Sequence, residues 1–234
     1  NPGGNFKTSG GRYVTLRNNY SWGKGTGYEM YHCSHHVKLQ NNTFWTNGVA
    51  VQVFNYLTQS EFTNNIFMSQ GGGYVVFVDK ASTNTTNVWR NNVVVNMNSS
   101  GNGMGEFDGG ALDDPECNGK NHSQPGGDCS LGFEPPPIPC PLGTSASPAM
   151  LPDNASGVST LQSKGAAGQW FGSNSGVGDK WGTTPGFVNA GTLNAANLHL
   201  GPSDTVAKDA GTSLSPTIDD FDREGRSGAW DIGA

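Results

Sequence analysis

Four Asn-Asn pairs, Asn18-Asn19, Asn41-Asn42, Asn64-Asn65 and Asn91-Asn92, recur at intervals of 23, 23 and 27 residues. Each follows a short alternating run: Val14-Thr15-Leu16-Arg17, Val37-Lys38-Leu39-Gln40, Ser60-Glu61-Phe62-Thr63 and Asn87-Val88-Trp89-Arg90. A period in this range marks a stacked repeat, in which no unit buries its apolar face alone and each must lie on its neighbour. Period-two alternation broken by Gly, Asn and Ser excludes the helical repeat families. What remains is a coil of short strands and tight turns, one turn of a parallel β-helix. Asn suits the corner because it tolerates left-handed backbone angles and hydrogen-bonds locally. Stacked once per coil, its amides can also bond to one another up the stack.

A second register supports the period. Tyr28-Glu29-Met30-Tyr31-His32 aligns with Val51-Gln52-Val53-Phe54-Asn55 and then with Val75-Val76-Phe77-Val78-Asp79. On that alignment Tyr31, Phe54 and Phe77 form an aromatic column, and Tyr20, Phe44, Phe67 and Val94 open the strand after each corner. The expected fold is all-β, a right-handed parallel β-helix of about 23 residues per coil, in a single domain over residues 1–234. Residues 1–97 hold regular coils, 98–185 an irregular Cys-, Pro- and Gly-rich insertion with a turn of helix near Ala155 to Lys164, and 186–234 closing coils. The four Asn of the first corner position, Asn18, Asn41, Asn64 and Asn91, are the expected ladder. The Asn41 amide should be buried in the stack and bonded to its neighbours one coil away or to corner backbone.

Composition narrows the partners. The formal net charge is −6 and only 13 residues are Lys or Arg, scattered along the chain. A nucleic-acid partner would require a basic stripe. No apolar run is long enough to span a membrane. The chain opens on Asn1 rather than Met, so it is read as a processed form or as part of a longer chain. Cys117, Cys129 and Cys140 fall in the insertion and Cys33 in a coil, without the paired spacing of a zinc site. A disulfide that staples the loop, and with it an extracellular or cell-surface location, is the expectation.

The last fifty residues carry a second pattern. Thr184-Pro185-Gly186-Phe187-Val188-Asn189 is followed by Asn197-Leu198-His199-Leu200-Gly201-Pro202-Ser203-Asp204, by Lys208-Asp209-Ala210-Gly211, by Asp219-Asp220-Phe221-Asp222-Arg223-Glu224-Gly225-Arg226 and by Trp230-Asp231-Ile232-Gly233-Ala234. This order resembles the C-terminal coils of secreted bacterial right-handed parallel β-helix proteins, the pectate-lyase-like superfamily. It departs from their pattern at Asp204 to Lys208, at Glu224 and in stopping at Ala234. The resemblance implies the fold and a carbohydrate-rich habitat; members of that superfamily include lyases, hydrolases, epimerases and adhesins. Read physically, Asp222, Arg226 and Asp231 cap the solenoid, with carboxylates accepting backbone N–H groups and Arg226 pairing with them.

Three clusters could carry chemistry. Tyr28, Tyr31, His32 and His36 are the catalytic candidates, since His and Tyr can serve as acid and base near neutral pH. Glu29, Tyr31, Phe54, Arg17 and Lys38 are the substrate-binding candidates, with Arg17, Gln40, Thr63 and Arg90 expected as an outward column. Asp108, Asp113 and Asp114, beside Glu106 and Glu116, are candidate calcium ligands because carboxylates are the hard oxygens that ion takes. The functional expectation is a secreted or surface β-helix that binds or processes a polysaccharide, as a lyase or hydrolase. The alternative is a non-catalytic structural or adhesive module that assembles end to end.

Overall fold

The computed structural model describes residues 5–9, 11–23, 25–31, 34–53, 57–71, 73–79, 86–107, 150–168, 170–190, 197–214, 219, 225 and 228–233. The chain winds as a parallel β-solenoid whose coils stack three sheets. Sheet I stacks Phe6–Ser9, Tyr28–Tyr31, Val51–Val53, Tyr74–Asp79 and Asn102–Phe107, all parallel. Sheet II stacks Thr15–Arg17, Lys38–Gln40, Glu61–Thr63 and Val88–Arg90. Sheet III stacks Tyr20–Gly23, Thr43–Thr46, Ile66–Ser69, Val93–Asn96 and Lys180–Trp181. A two-stranded pair, Ser34–His35 with Leu57–Thr58, lies between sheets I and II. The stack therefore continues past residue 97, and the stretch read as an irregular insertion supplies strands to sheets I and III.

Two corners repeat once per coil. The first is the expected one: Asn18, Asn41, Asn64 and Asn91 all have φ between 51° and 58°. The second has no such signature. Tyr13, His36 and Gln59 share a left-handed φ of 50–55° although none is Gly or Asn. Left-handed angles cost a non-Gly residue unless its surroundings fix them. Here the neighbouring coil does so, because Tyr13 N donates to His35 O and His36 N donates to Thr58 O.

The ladder sits one residue later than expected. Asn19 Nδ2 donates to Asn42 Oδ1 at 2.9 Å, Asn42 Nδ2 to Asn65 Oδ1 at 3.0 Å, and Asn65 Nδ2 to Asn92 Oδ1 at 3.1 Å. Each Oδ1 also accepts the backbone N–H of the Asn one coil earlier in the chain. The second Asn of each pair is thus the inward one, and it spends its remaining amide hydrogen on a strand carbonyl such as Leu39 O or Phe62 O. Asn41 corrects the expectation most plainly: it is fully buried, yet its Oδ1 and Nδ2 have no hydrogen-bond partner. A left-handed corner residue turns its side chain out of the solenoid, away from the column that its neighbour fills. Asp179 closes the ladder, taking the Asn92 N–H on Oδ1 and the indole N–H groups of Trp89 and Trp181 on Oδ2. Burial pushes its carboxyl up to about 7, against those three donors.

Inside the solenoid, Leu16, Leu39, Phe62 and Trp89 form the inner column of sheet II, and Phe44, Phe67 and Val94 that of sheet III. Phe44 stacks on Phe67 at 5.8 Å, Phe67 on Trp89 at 5.4 Å, and Trp89 on Phe171 at 5.7 Å. These are the aromatic columns of the fold. The expected column of Tyr31, Phe54 and Phe77 does not form, because Phe77 pairs with Gln52, two positions from Phe54. An extra residue or two in the third coil moved the register.

The two ends of the solenoid differ. At the upper end Met150–Pro152 adds antiparallel to Asn102–Phe107, and helix α1 (Ala155–Ala166), capped by Asn154, packs Leu161 into the core beside Trp170 and Trp181. At the lower end the inward residues Phe6, Val14 and Leu16 are only partly buried.

Among the described residues, the C-terminal region adds no strand to the three stacked sheets. Its apolar residues Leu198, Val206, Ala207 and Ile232 lie on the outer face of sheet III, over Trp45, Ile66, Met68, Val93 and Val95. The middle strands of sheet III are therefore buried on both faces, which is why Ile66-Phe67-Met68 and Val93-Val94-Val95 read as continuous apolar runs, while Trp22 on the first strand stays exposed. At Gly233, φ is 94° and a Cβ would sit 2.6 Å from Ile66 Cδ1, so only glycine fits there. The described residues of 210–219 meet the row of outward Asn side chains as a strap. Asn91 Nδ2 donates to Ala210 O, Asn64 Nδ2 to Thr212 O, and Asn18 Nδ2 to Asp219 O. Asp231 does accept a backbone N–H, that of Asp209. Asp222 and Arg226 lie outside the described residues, as do all four cysteines and the polyproline run at 135–139.

The two Asn rows should separate on mutation. Asn65→Ala strips a buried rung of its amide bonds and should cost about 1–3 kcal/mol. Asn41→Gly keeps the left-handed freedom and removes an amide that has no partner, so despite the buried volume it empties it should cost less than Asn65→Ala. Urea denaturation of the two variants beside the wild type checks the value and the order.

Candidate functional site

Alternation along sheet II sets two outward columns, Thr15, Lys38, Glu61 and Val88 beside Arg17, Gln40, Thr63 and Arg90. The second is the column expected from the sequence. Arg17 and Lys38 are exposed, while Gln40 and Thr63, next to the Asn row that carries the strap, are buried. The face thus presents Arg17, Lys38 and Arg90 with one carboxylate, Glu61, whose Oε1 accepts the Thr63 hydroxyl at 2.9 Å. A local excess of cations is notable in a chain with a net charge of −6.

A groove of about 310 Å³ opens at the upper end of this face, between Glu61, Val88, Arg90 and the turn Gly172–Ser175. Its wall is well fixed. Gly172 N donates to Asn87 O and Gly176 N to Trp89 O, continuing the sheet, and Ser175 is buried with its hydroxyl on Gly172 O. Phe171, with φ of 50°, anchors the turn on Trp89. The Arg90 Nε is buried in this wall without a hydrogen-bond partner. A guanidinium, a carboxylate acceptor and small polar side chains around one groove can bind an oxyanion and neighbouring hydroxyl groups together.

Of the catalytic candidates, the described residues do not assemble. Tyr28 is fully buried, with its hydroxyl 3.0 Å from Thr8 Oγ1, and burial raises its pKa above the ordinary tyrosine value. Inward alternation on sheet I places its side chain in the core, away from the outer faces of the solenoid. His36 stands at the second corner, stacked under the exposed ring of Tyr13 at 4.5 Å. His32 and the side chain of Tyr31 lie outside the described residues.

The substrate-binding candidates divide. Arg17 and Lys38 share the outer face of sheet II, Glu29 projects from sheet I and is nearly buried, and Phe54 lies outside the described residues. Asp108, Asp113 and Asp114 also lie outside them. Among the described residues no group of three or more His, Cys, Asp or Glu is placed to hold a metal ion. No described helix is long and apolar enough to cross a membrane.

Sequence reasoning missed the groove residues Ser173, Asn174 and Ser175, which belong to no repeat, and it missed the pairing of His35 with His36. Their Nδ1 atoms are 2.8 Å apart, so one ring must hold the bridging proton and the other accept it. It also passed over Asp204, whose carboxylate accepts N–H groups from Gly186, Ala207 and Lys208 and ties the cover of sheet III together. Burial acts to raise the Asp204 pKa, but these backbone donors outweigh it and the net direction is down. No family model, curated protein or solved structure matches the chain.

The histidine pair sets a pH dependence. Burial, then His36, then Arg12 lower the His35 pKa below 6.5. A depressed pKa means that the folded state disfavours the added proton, so the stability due to neutral His35 is present above pH 6.5 and is lost as the pH falls through the folded value. An NMR titration should show the His35 ring changing charge below 6.5, whereas a midpoint at or above that value contradicts the arrangement.

Proposed function

We propose that this protein is a secreted or surface β-helix that binds an anionic polysaccharide along the outer face of sheet II. The supporting observation is the stacking of Arg17, Lys38 and Arg90 on one flat face of an otherwise acidic molecule. Strand spacing fixes the pitch of that face at about 4.8 Å per coil. From Arg17 to Arg90 the ladder crosses three steps, about 14 Å, room for a few sugar units of an extended glycan. The groove at the upper end adds Glu61 as a hydroxyl acceptor and Arg90 as an oxyanion donor. Calcium held by Asp108, Asp113 and Asp114, and proton transfer by His36 in a lyase or hydrolase reaction, would build on this binding reading.

The rival reading, a module stacked end to end, requires two open ends. Among the described residues, helix α1 and Met150–Pro152 cover the upper one, whereas Phe6, Val14 and Leu16 at the lower one are only partly buried. Binding is therefore the better supported reading.

Affinity electrophoresis in gels containing polygalacturonate, alginate or neutral dextran tests it. The wild type should be retarded by the two acidic polymers and not by dextran, and added salt should relieve the retardation. An exposed ionic contact is worth about 0.2–1 kcal/mol, so the combined variant R17Q/K38Q/R90Q should bind about tenfold more weakly. Equal retardation of variant and wild type, or none by any acidic polymer, contradicts the proposal.

A further inference from the structure

His35 and His36 are adjacent in the chain, and an extended strand would send their rings to opposite faces. The second corner prevents that. His36 holds a left-handed φ of 54°, so the chain turns at this point and the two rings meet, Nδ1 to Nδ1, at 2.8 Å. Both neighbouring coils fix the backbone beneath them: His35 N donates to Gly11 O, His35 O accepts from Tyr13 N, and His36 N donates to Thr58 O. Tyr13 fixes the rings as well, stacked on His36 at 4.5 Å and edge-on to His35 at 5.6 Å. The cluster reaches the surface, since His36 is half-buried and the Tyr13 ring is exposed. One coil on, Thr58 pairs with His35, and its Oγ1 is buried with no hydrogen-bond partner among the described residues.

We propose that His35 and His36 form a two-histidine site for a transition-metal ion of tetragonal geometry, Cu(II) above all, held between the two Nδ1 atoms with its other positions left to water. Ligands at right angles on metal–nitrogen bonds of about 2.0–2.1 Å stand about 2.9 Å apart, against about 3.3 Å at a tetrahedral angle. The 2.8 Å between the rings is close to the first spacing, that of neighbouring ligands in a square-planar or tetragonal site. Cu(II) and Ni(II) take that geometry with nitrogen ligands, and Cu(II) heads the affinity order of divalent first-row ions. Without metal, one proton bridges the rings; on binding it moves to an Nε2, and both Nδ1 lone pairs go to the ion. Burial, His36 and Arg12 lower the pKa of His35, so that ring is neutral and able to ligate near pH 7, while the Arg12 cation limits the affinity. The unspent Thr58 hydroxyl stands beside His35 in the stack, where it can bond a water on the ion. This site does not depend on the glycan reading of sheet II.

The test titrates the intact wild-type protein with Cu(II) chloride at neutral pH. Electron paramagnetic resonance should show an axial Cu(II) signal split by a pair of imidazole nitrogens. In NMR spectra the ring signals of Tyr13, His35 and His36 should broaden before any others. His35→Gln should weaken binding by more than the roughly tenfold that losing even an outer hydrogen bond to a metal ligand costs. His36→Asn, which keeps a residue tolerant of the left-handed corner, should do the same. Should either variant fail to fold, the wild-type spectra still locate the ion. Unchanged affinity in either folded variant, broadening that begins at His199 or near the cysteines, or no binding of Cu(II) at all overturns the proposal.

Discussion

The solenoid depends on one hydrogen-bonding unit repeated along its axis: an inward Asn amide whose Oδ1 accepts two N–H groups from the neighbouring coil. In that unit Asn65 takes both the backbone N–H and the Nδ2 of Asn42, and gives its own Nδ2 to Asn92 Oδ1 and to Leu39 O. These groups are fully buried, so each one left unpaired would cost about 1–3 kcal/mol. A coil that slipped by one residue would unpair them all at once and turn Phe62 or Trp89 out of the core. The ladder therefore sets the register, and the stacked rings of Phe44, Phe67 and Trp89 supply the apolar burial that the register makes possible. At the top the unit ends on a carboxylate. Asp179 can accept from Asn92 and two indoles without requiring an acceptor of its own, so the stack can stop there.

Each Asn-Asn pair divides two tasks between adjacent positions. The second residue builds the ladder inside. The first takes the left-handed angle that turns the corner, and its side chain then points outward, where Asn18, Asn64 and Asn91 hold the backbone of the C-terminal strap. The strap and the segment over sheet III close two of the surfaces that a bare solenoid would expose. The outer face of sheet II, between the strap and the second corner, keeps exposed cations, and there the groove forms. Position on the fold thus explains why the exposed cationic face lies where it does.

Much of the fold was legible because its signals are periodic. The pairs at 23-residue spacing name the coils, and the alternation before each pair gives the strands of sheet II in their true register, Arg17 with Gln40, Thr63 and Arg90. Which Asn of a pair faces inward was not legible, since both are chemically able to form a ladder and only the backbone angle decides. The second corner was hidden as well. Tyr13, His36 and Gln59 keep the period, but Tyr and Gln rarely adopt left-handed angles, so only His36 carries any propensity for the corner. The register of sheet I failed at Phe77 because the third coil is longer than the second. The C-terminal residues read as closing coils, but the described apolar ones pack on the outside of sheet III. The cationic face was half visible in Arg17 and Lys38. The groove was not, because Gly172 to Ser175 lie far away in sequence and outside any repeat.

Hydrogen exchange resolved at side-chain amides tests the ladder most directly. The Nδ2 hydrogens of Asn42, Asn65 and Asn92, with their backbone N–H groups, should exchange only with global unfolding, the slowest class in the protein. The Nδ2 hydrogens of Asn18 and Asn91, bonded to the strap, should exchange through local opening at a faster rate. Equal protection of the inner and outer amides, or faster exchange at the inner row, would contradict the claim that the inward Asn column fixes the register of the solenoid.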